Sequence, residues 1–190
     1  MPDATVIIDW AWVVLGIIWL GASFTAKRNI RKQPLTARVL HVCVLFVAFA
    51  LIFSRWLAIG LLAWRPLPPS AVTGYAGLVV AFAGMLFALW ARFLLGRNWS
   101  GVVTVKRDHE LVRNGPYALV RHPIYSGLLF ALLGTVIARG FELRAVIGFV
   151  ILLIAWRRKS LAEESFMVDQ FGAQYIEYRR RVRALVPYVW

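Results

Sequence analysis

The chain has 190 residues, 61% of them hydrophobic and 16% charged, with a mean hydropathy of +0.68 and a formal net charge of +13. An apolar share well above the roughly one half of soluble domains excludes an ordinary water-soluble domain and indicates an integral membrane protein of one domain. The 22 basic residues fall in the gaps between apolar runs and not on one soluble face, which excludes nucleic acid as a partner and points to membrane lipid headgroups. A single cysteine, Cys43, leaves no internal disulfide and no cysteine metal site, and no metal is expected.

In chain order, three long apolar runs come first, 6–24, 39–63 and 72–95, each meeting the ~20 residues that cross a hydrocarbon core as a helix. The first is not a cleavable leader, because Asp3 and Asp9 stand where a basic segment would be needed. Asp9 and His41 read as interfacial, whereas Arg55 falls inside the second span, roughly 13 Å from its outer end, as an intramembrane charge. Gly74, Gly77 and Gly84 mark close helix packing in the third span. Two shorter runs follow, 124–138 and 145–156, covering about 23 and 18 Å at ~1.5 Å per residue and forming a helical hairpin that turns at Arg139-Gly140-Phe141-Glu142.

Lys27, Arg28, Arg31, Lys32 and Arg38 crowd the first loop, and Arg92, Arg97, Lys106, Arg107, Arg113 and Arg121 the third. The second loop has only Arg65 and the fourth only Arg139 and Arg144, so the positive-inside rule puts the N-terminus outside and the C-terminus in the cytoplasm. The tail 157–190, with its mixed basic and aromatic residues, reads as an interfacial helix on the cytoplasmic mouth. The expected fold is therefore all-α and polytopic, with about five transmembrane helices and a cytoplasmic C-terminal helix. Residues 1–95 form a three-helix membrane part, and 96–190 carry the polar chemistry.

That chemistry gathers where the chain meets lipid. In Arg121-His122-Pro123-Ile124-Tyr125, Pro123 suits the first position of a helix, so Arg121 and His122 stand at its mouth. Backbone N–H groups left free at such a mouth, with the positive end of the helix dipole, favour a carboxylate or other anion. The face of Tyr125 can attract a cation such as a sulfonium or ammonium. Each residue alone is ordinary interfacial anchoring; the three together, following Gly115-Pro116-Tyr117, read as a site. Glu163 and Glu164 follow Lys159 by four and five residues, so Lys159 and Glu163 share a helix face. With only nine acids in the chain, two adjacent ones beyond the last apolar run are candidates to hold ribose hydroxyls or an α-amino group.

The ordered series Gly96-Arg97-Asn98-Trp99-Ser100, His109-Glu110-Leu111-Val112, Gly115-Pro116-Tyr117, Arg121 to Gly127, and Glu163-Glu164 before Phe171-Gly172, Tyr175, Tyr178 and Pro187 resembles the isoprenylcysteine carboxyl methyltransferase family, to which phospholipid N-methyltransferases are related. The resemblance covers about half the chain, from Gly96 onward. It implies S-adenosylmethionine as methyl donor. His109, Glu110, Leu111 and Val112 would contact the donor, Gly115 and Tyr117 would flank it, Arg121, His122, Pro123, Ile124 and Tyr125 would wall it, and Glu163 would be its carboxylate partner.

Lys159 stands where eukaryotic members have an arginine facing the substrate carboxylate, and an ammonium lacks that residue's planar fork. Methyl transfer is an in-line displacement that rests on positioning, which is worth ~7 to 11 kcal/mol. A carboxylate acceptor needs a cation such as Lys159 or Arg158; an amine or thiol needs a base, for which Glu164 and His122 are candidates. The resemblance thus implies a lipophilic small-molecule or prenylated acceptor. Phospholipid, amine or thiol methyl transfer, a nicotinamide-dependent membrane reductase using Arg107 and Arg113, and a non-catalytic carrier built on Arg55 stand as the other readings.

Overall fold

The computed structural model describes residues 3–24, 29–32, 34–68, 70–96, 104–106 and 111–186. Helix α1 (Ala4–Ser23) begins at Asp3, whose carboxylate accepts the Thr5 N–H at 3.0 Å. Helix α2 spans Leu35–Phe53 and α3 spans Ala71–Leu95, the latter opened by a reciprocal cap in which Ser70 and Thr73 each accept the other's backbone N–H. The short α4 (Pro116–Leu119) leads into α5 (Pro123–Ala138), α6 (Leu143–Phe171) and α7 (Ala173–Arg181). Two short strands, β1 (Asn29–Lys32) and β2 (Thr104–Lys106), pair antiparallel.

Helices α1, α2 and α3 are each long and apolar enough to cross a membrane, and α5 is a shorter apolar helix. Ile17, Phe46, Val79 and Phe93 lie exposed on their outer faces, the arrangement of a bundle solvated by lipid. Inside the bundle, α3 and α5 approach through small residues. A Cβ on Gly84 would lie 2.5 Å from the Gly127 carbonyl oxygen, and one on Gly127 2.6 Å from the Ala88 nitrogen. With Gly77 and Ala81 facing Gly134 and Ala138 one step further along, backbone packs on backbone, as the glycine spacing predicts. Gly74 meets Ala4 of α1, and Gly148 sets α6 against Ala48 and Ile52 of α2.

Two expectations change. The run 39–63 is not one helix: α2 stops at Phe53, Ser54 is extended, and two 3-10 turns follow, Arg55–Leu57 and Gly60–Ala63. Arg55 is thus an exposed residue of the connection after α2 and not a charge within that helix. Asp9, expected at the interface, accepts a 2.5 Å hydrogen bond from Arg139 Nη2. The second change is at α6. The hairpin turn at 139–142 is present, with Gly140 and Phe141 both at positive φ, but the helix after it runs unbroken for 29 residues. Strong helix formers continue from Arg157 through Glu164, and only Gly172, at φ +51°, ends it before α7. The apolar part of α6 stops near Trp156 and its polar extension carries Arg158, Lys159, Glu163 and Glu164.

Candidate active site

The mouth of α5 and the polar extension of α6 meet. Tyr125 donates its hydroxyl to Glu163 Oε1 at 2.6 Å. Its ring lies between His122, at 5.8 Å and 17°, and Trp156, at 5.9 Å and 15°, and Lys159 Nζ stands 5.7 Å from its centroid. Trp156, Lys159 and Glu163 fall at helical spacing, so one face of α6 supplies an aromatic plate, a cation and a carboxylate. His122 Nε2 is 3.2 Å from Glu164 Oε1, and its Nδ1 is 3.6 Å from Glu163 Oε2. One imidazole therefore spans both carboxylates.

Arg121 is the keystone on the other side. Its Nε and Nη2 donate to Glu164 Oε1 at 3.0 and 2.6 Å, and its Nη1 donates to the carbonyls of Arg179, at 3.2 Å, and Val182. The backbone N–H groups of Arg121 and His122 donate to the carbonyls of Arg183 and Ala184 at 2.8 and 3.0 Å, and Ser126 Oγ to Leu185 at 2.6 Å. The C-terminal segment 183–185 thus pairs with the residues that lead into α5. Arg121 holds Glu164 and this strap, and its guanidinium nitrogens all have protein acceptors.

Burial opposes charge on His122, yet Glu163 and Glu164 outweigh it and raise its pKa above the ordinary 6.5. Burial likewise works against ionised Glu163, but His122, Lys159 and the Tyr125 hydroxyl bring its pKa below the usual carboxylate value. Glu164, also resisting burial, is brought down to about 2 by His122 and Arg121. Both carboxylates are ionised and His122 tends to the imidazolium. Burial lowers the Lys159 pKa, with Glu163 opposing.

The remaining predicted residues divide. Pro123 and Ile124 are buried beneath this layer, and Tyr117 with Val112 packs against Ile124 and Ala91. Tyr178 donates to the Tyr117 carbonyl at 2.5 Å, so α7 is tied to α4. Gly115 is exposed at φ +56° before α4, and Leu111 is half-buried. His109 and Glu110 lie outside the described residues. Arg158 and Lys159 open onto a second feature, a groove of about 730 Å³ between α2 and α6. Its walls are alkyl, from Val39, Leu40, Val42, Val44, Ile151 and Ile154, and its polar end is formed by Arg38, His41, Arg158 and Lys159. Arg38 Nε and His41 Nε2 are buried with no hydrogen-bond partner among the described residues. Sequence reasoning leaves out Trp156, Arg38 and the site role of His41; the signal for the first is its spacing to Lys159 and Glu163, and for the others their three-residue separation on α2.

The phospholipid methyltransferase family model matches residues 72–174, more than half of the chain, including Arg121, His122, Tyr125, Trp156, Lys159, Glu163 and Glu164. A probable protein-S-isoprenylcysteine O-methyltransferase of Oryza sativa subsp. japonica is 29% identical over 172 residues, 90% of this chain and 87% of the relative. The human protein-S-isoprenylcysteine O-methyltransferase is 28% identical over 172 residues, and this chain spans only 59% of that longer relative. A solved eukaryotic intramembrane Ras methyltransferase, isoprenylcysteine carboxyl methyltransferase, superimposes with a TM-score of 0.52 at 26% identity, covering 81% of this chain and 52% of that one. These matches replace the reductase and carrier readings: the chain belongs to the phospholipid methyltransferase family, and is a membrane methyltransferase similar in sequence and fold to the isoprenylcysteine O-methyltransferases.

Proposed function

We propose that the chain transfers a methyl group from S-adenosylmethionine to the carboxylate of a lipophilic acceptor, of which a prenylated cysteine is the nearest known class. The observation that carries this is the half-buried Tyr125–Glu163 pair, with the Tyr125 ring stacked between His122 and Trp156, beside an alkyl-walled groove that ends in cations. The cluster suits a donor that carries an ammonium, a ribose diol and a sulfonium. Glu163 is ionised and keeps a side chain 23% exposed, which leaves its outer oxygen able to accept from an ammonium or hydroxyl. The Tyr125 face and Trp156 give a π-surface for a cation. Bound there, S-adenosylmethionine would supply an electrophilic methyl on sulfur.

The protein's residues then orient and exclude water. Glu164 is too weak a base to take a proton near neutral pH, with its pKa near 2 and its oxygen already accepting from Arg121 and His122. It positions those two residues. A carboxylate acceptor asks for no base, only for a cation at the groove's end, and Lys159, Arg158, Arg38 and His41 line that end with no acid among the groove's lining residues. The alkyl walls would take the apolar tail. The apolar runs support five spans, and the loop charges support an outside N-terminus and a cytoplasmic C-terminus. Labelling of an Arg180→Cys variant by an impermeant thiol reagent in sealed vesicles, only from the cytoplasmic side, checks that orientation.

The test of function is product analysis with methyl-labelled S-adenosylmethionine and prenylcysteine, aminophospholipid and small thiol acceptors. Label in a base-labile ester of the prenylcysteine is expected; label confined to amine or thiol would overturn the carboxylate reading, and the family's phospholipid members make the amine the first rival. Lys159→Ala should raise the acceptor KM by roughly ten- to a hundredfold, the worth of one charge-assisted hydrogen bond of ~1.5 to 3 kcal/mol, while donor affinity holds.

A further inference from the structure

The end of the bundle away from this site holds a second polar cavity. Helix α5 separates the two, with His122 before its first turn and Arg139 after its last, about 24 Å apart along the axis at ~1.5 Å per residue. The four basic residues of segments 54–70 and 139–144, Arg55, Arg65, Arg139 and Arg144, all line this one cleft of about 660 Å³. On the face where the loops are poorest in positive charge, every cation converges.

They are not equally engaged. Arg144 is fully employed in the fold: Nε and Nη2 fork onto the two oxygens of Glu142 at 3.0 and 2.9 Å, and Nη1 donates to the carbonyls of Leu51 and Ile52. Arg139 gives Nη2 to Asp9 and lies over the Phe53 ring at 5.5 Å, but its Nε has no hydrogen-bond partner among the described residues although the side chain is only 9% exposed. Arg65 comes no closer than 3.8 Å to Glu142, whose oxygens Arg144 already holds. Arg55 is exposed. Of the nearby acids, Glu142 gives both oxygens to Arg144, while Asp9 gives one to Arg139 and Asp3 one to the cap of α1. Four arginines against these three acids leave the cleft with an excess of positive charge.

The same α2–α3 connection exposes Trp56 at 90%, Leu61 at 74% and Trp64 at 56%. Exposed tryptophans beside arginines belong at the depth where hydrocarbon meets headgroups. A guanidinium at that depth faces the phosphate layer, whose oxygens its planar fork fits. We propose that this cleft binds a phosphate-bearing anion through Arg55, Arg65 and Arg139, the ligand being the headgroup of an anionic phospholipid in the leaflet at that end. The site is separate from methyl transfer and needs neither donor nor acceptor.

The test uses the full chain in neutral detergent, with melting followed against added phosphatidylglycerol, phosphatidylcholine or inorganic phosphate. The Arg55→Gln/Arg65→Gln double variant removes two solvent-accessible charges and spares the buried Arg144–Glu142 pair. Phosphatidylglycerol should raise the melting temperature of the wild type more than phosphatidylcholine, and the double variant should need about tenfold more of it for the same shift. An Arg180→Gln control at the other end should respond as the wild type. If inorganic phosphate reproduces the shift, and the double variant loses that too, the site stands with a soluble phosphate as its source. Equal responses of wild type and double variant, or no preference for the anionic lipid or phosphate, would overturn the proposal.

Discussion

His122 sits between two carboxylates contributed by a helix some forty residues away in sequence, and its charge holds that junction together. The sign of its effect on stability follows from its raised pKa. A histidine whose folded pKa exceeds the ordinary 6.5 stabilises the fold fully below that value and loses the contribution as pH rises through the folded pKa. Glu163 and Glu164 act in the opposite direction: their contribution is present above the usual carboxylate pKa of 4.5 and is lost as pH falls, for Glu164 toward about 2. The difference in melting temperature between wild type and His122→Gln should therefore shrink as pH rises above about 6.5. A constant difference would mean that the imidazole only fills space. Arg121 gives a second test at this scale. With side-chain exposures of 9% and 6%, the Arg121–Glu164 pair is shielded from solvent, so Arg121→Ala should cost about 3 to 5 kcal/mol by leaving a buried carboxylate unpaired. Glu164→Gln/Arg121→Ala together should recover part of it in the same denaturation experiment.

Helices α3 and α5 show how small residues decide an element's place. Gly84→Ala would put a methyl group 2.5 Å from the Gly127 carbonyl and should destabilise by ~1 to 3 kcal/mol, because both neighbours are backbone and cannot swing away. Gly16 in α1 has nothing within 4 Å, so Gly16→Ala should be neutral or stabilising by up to ~1 kcal/mol. Comparable melting temperatures for the two variants would contradict the packing described. The glycines of α3 were legible in the sequence because helix packing in lipid has a compositional signature. The end of α2 was not. Leu51 to Ala63 stays apolar on both sides of Arg55, and hydropathy alone does not tell a helix from 3-10 turns. Nor could the continuity of α6 be read, since its change from apolar to charged at Arg157 looks like a boundary although the backbone propensity never changes.

For the molecule as a whole, the sequence carried the chemistry further than the architecture. Arg121, His122, Tyr125, Glu163 and Glu164 were found by their scarcity and by their place against an apolar run, and the fold brings them within hydrogen-bonding reach. What sequence order hides is partnership across space. The strap 182–185 that satisfies the Arg121 and His122 backbone, and the α2 side chains that finish the groove, lie far from the motifs they complete. The proposed donor site at one rim of α5 and the proposed acceptor groove between α2 and α6 would let a polar and a lipophilic substrate approach from different phases, with Lys159 between them. The central claim is that Tyr125 and Glu163 form the donor site, and equilibrium binding of S-adenosylmethionine to purified wild type, Tyr125→Phe and Glu163→Gln tests it most directly. Loss of about tenfold or more in each variant, with melting behaviour that keeps both folded, is the expected result; unchanged affinity in folded variants would contradict it.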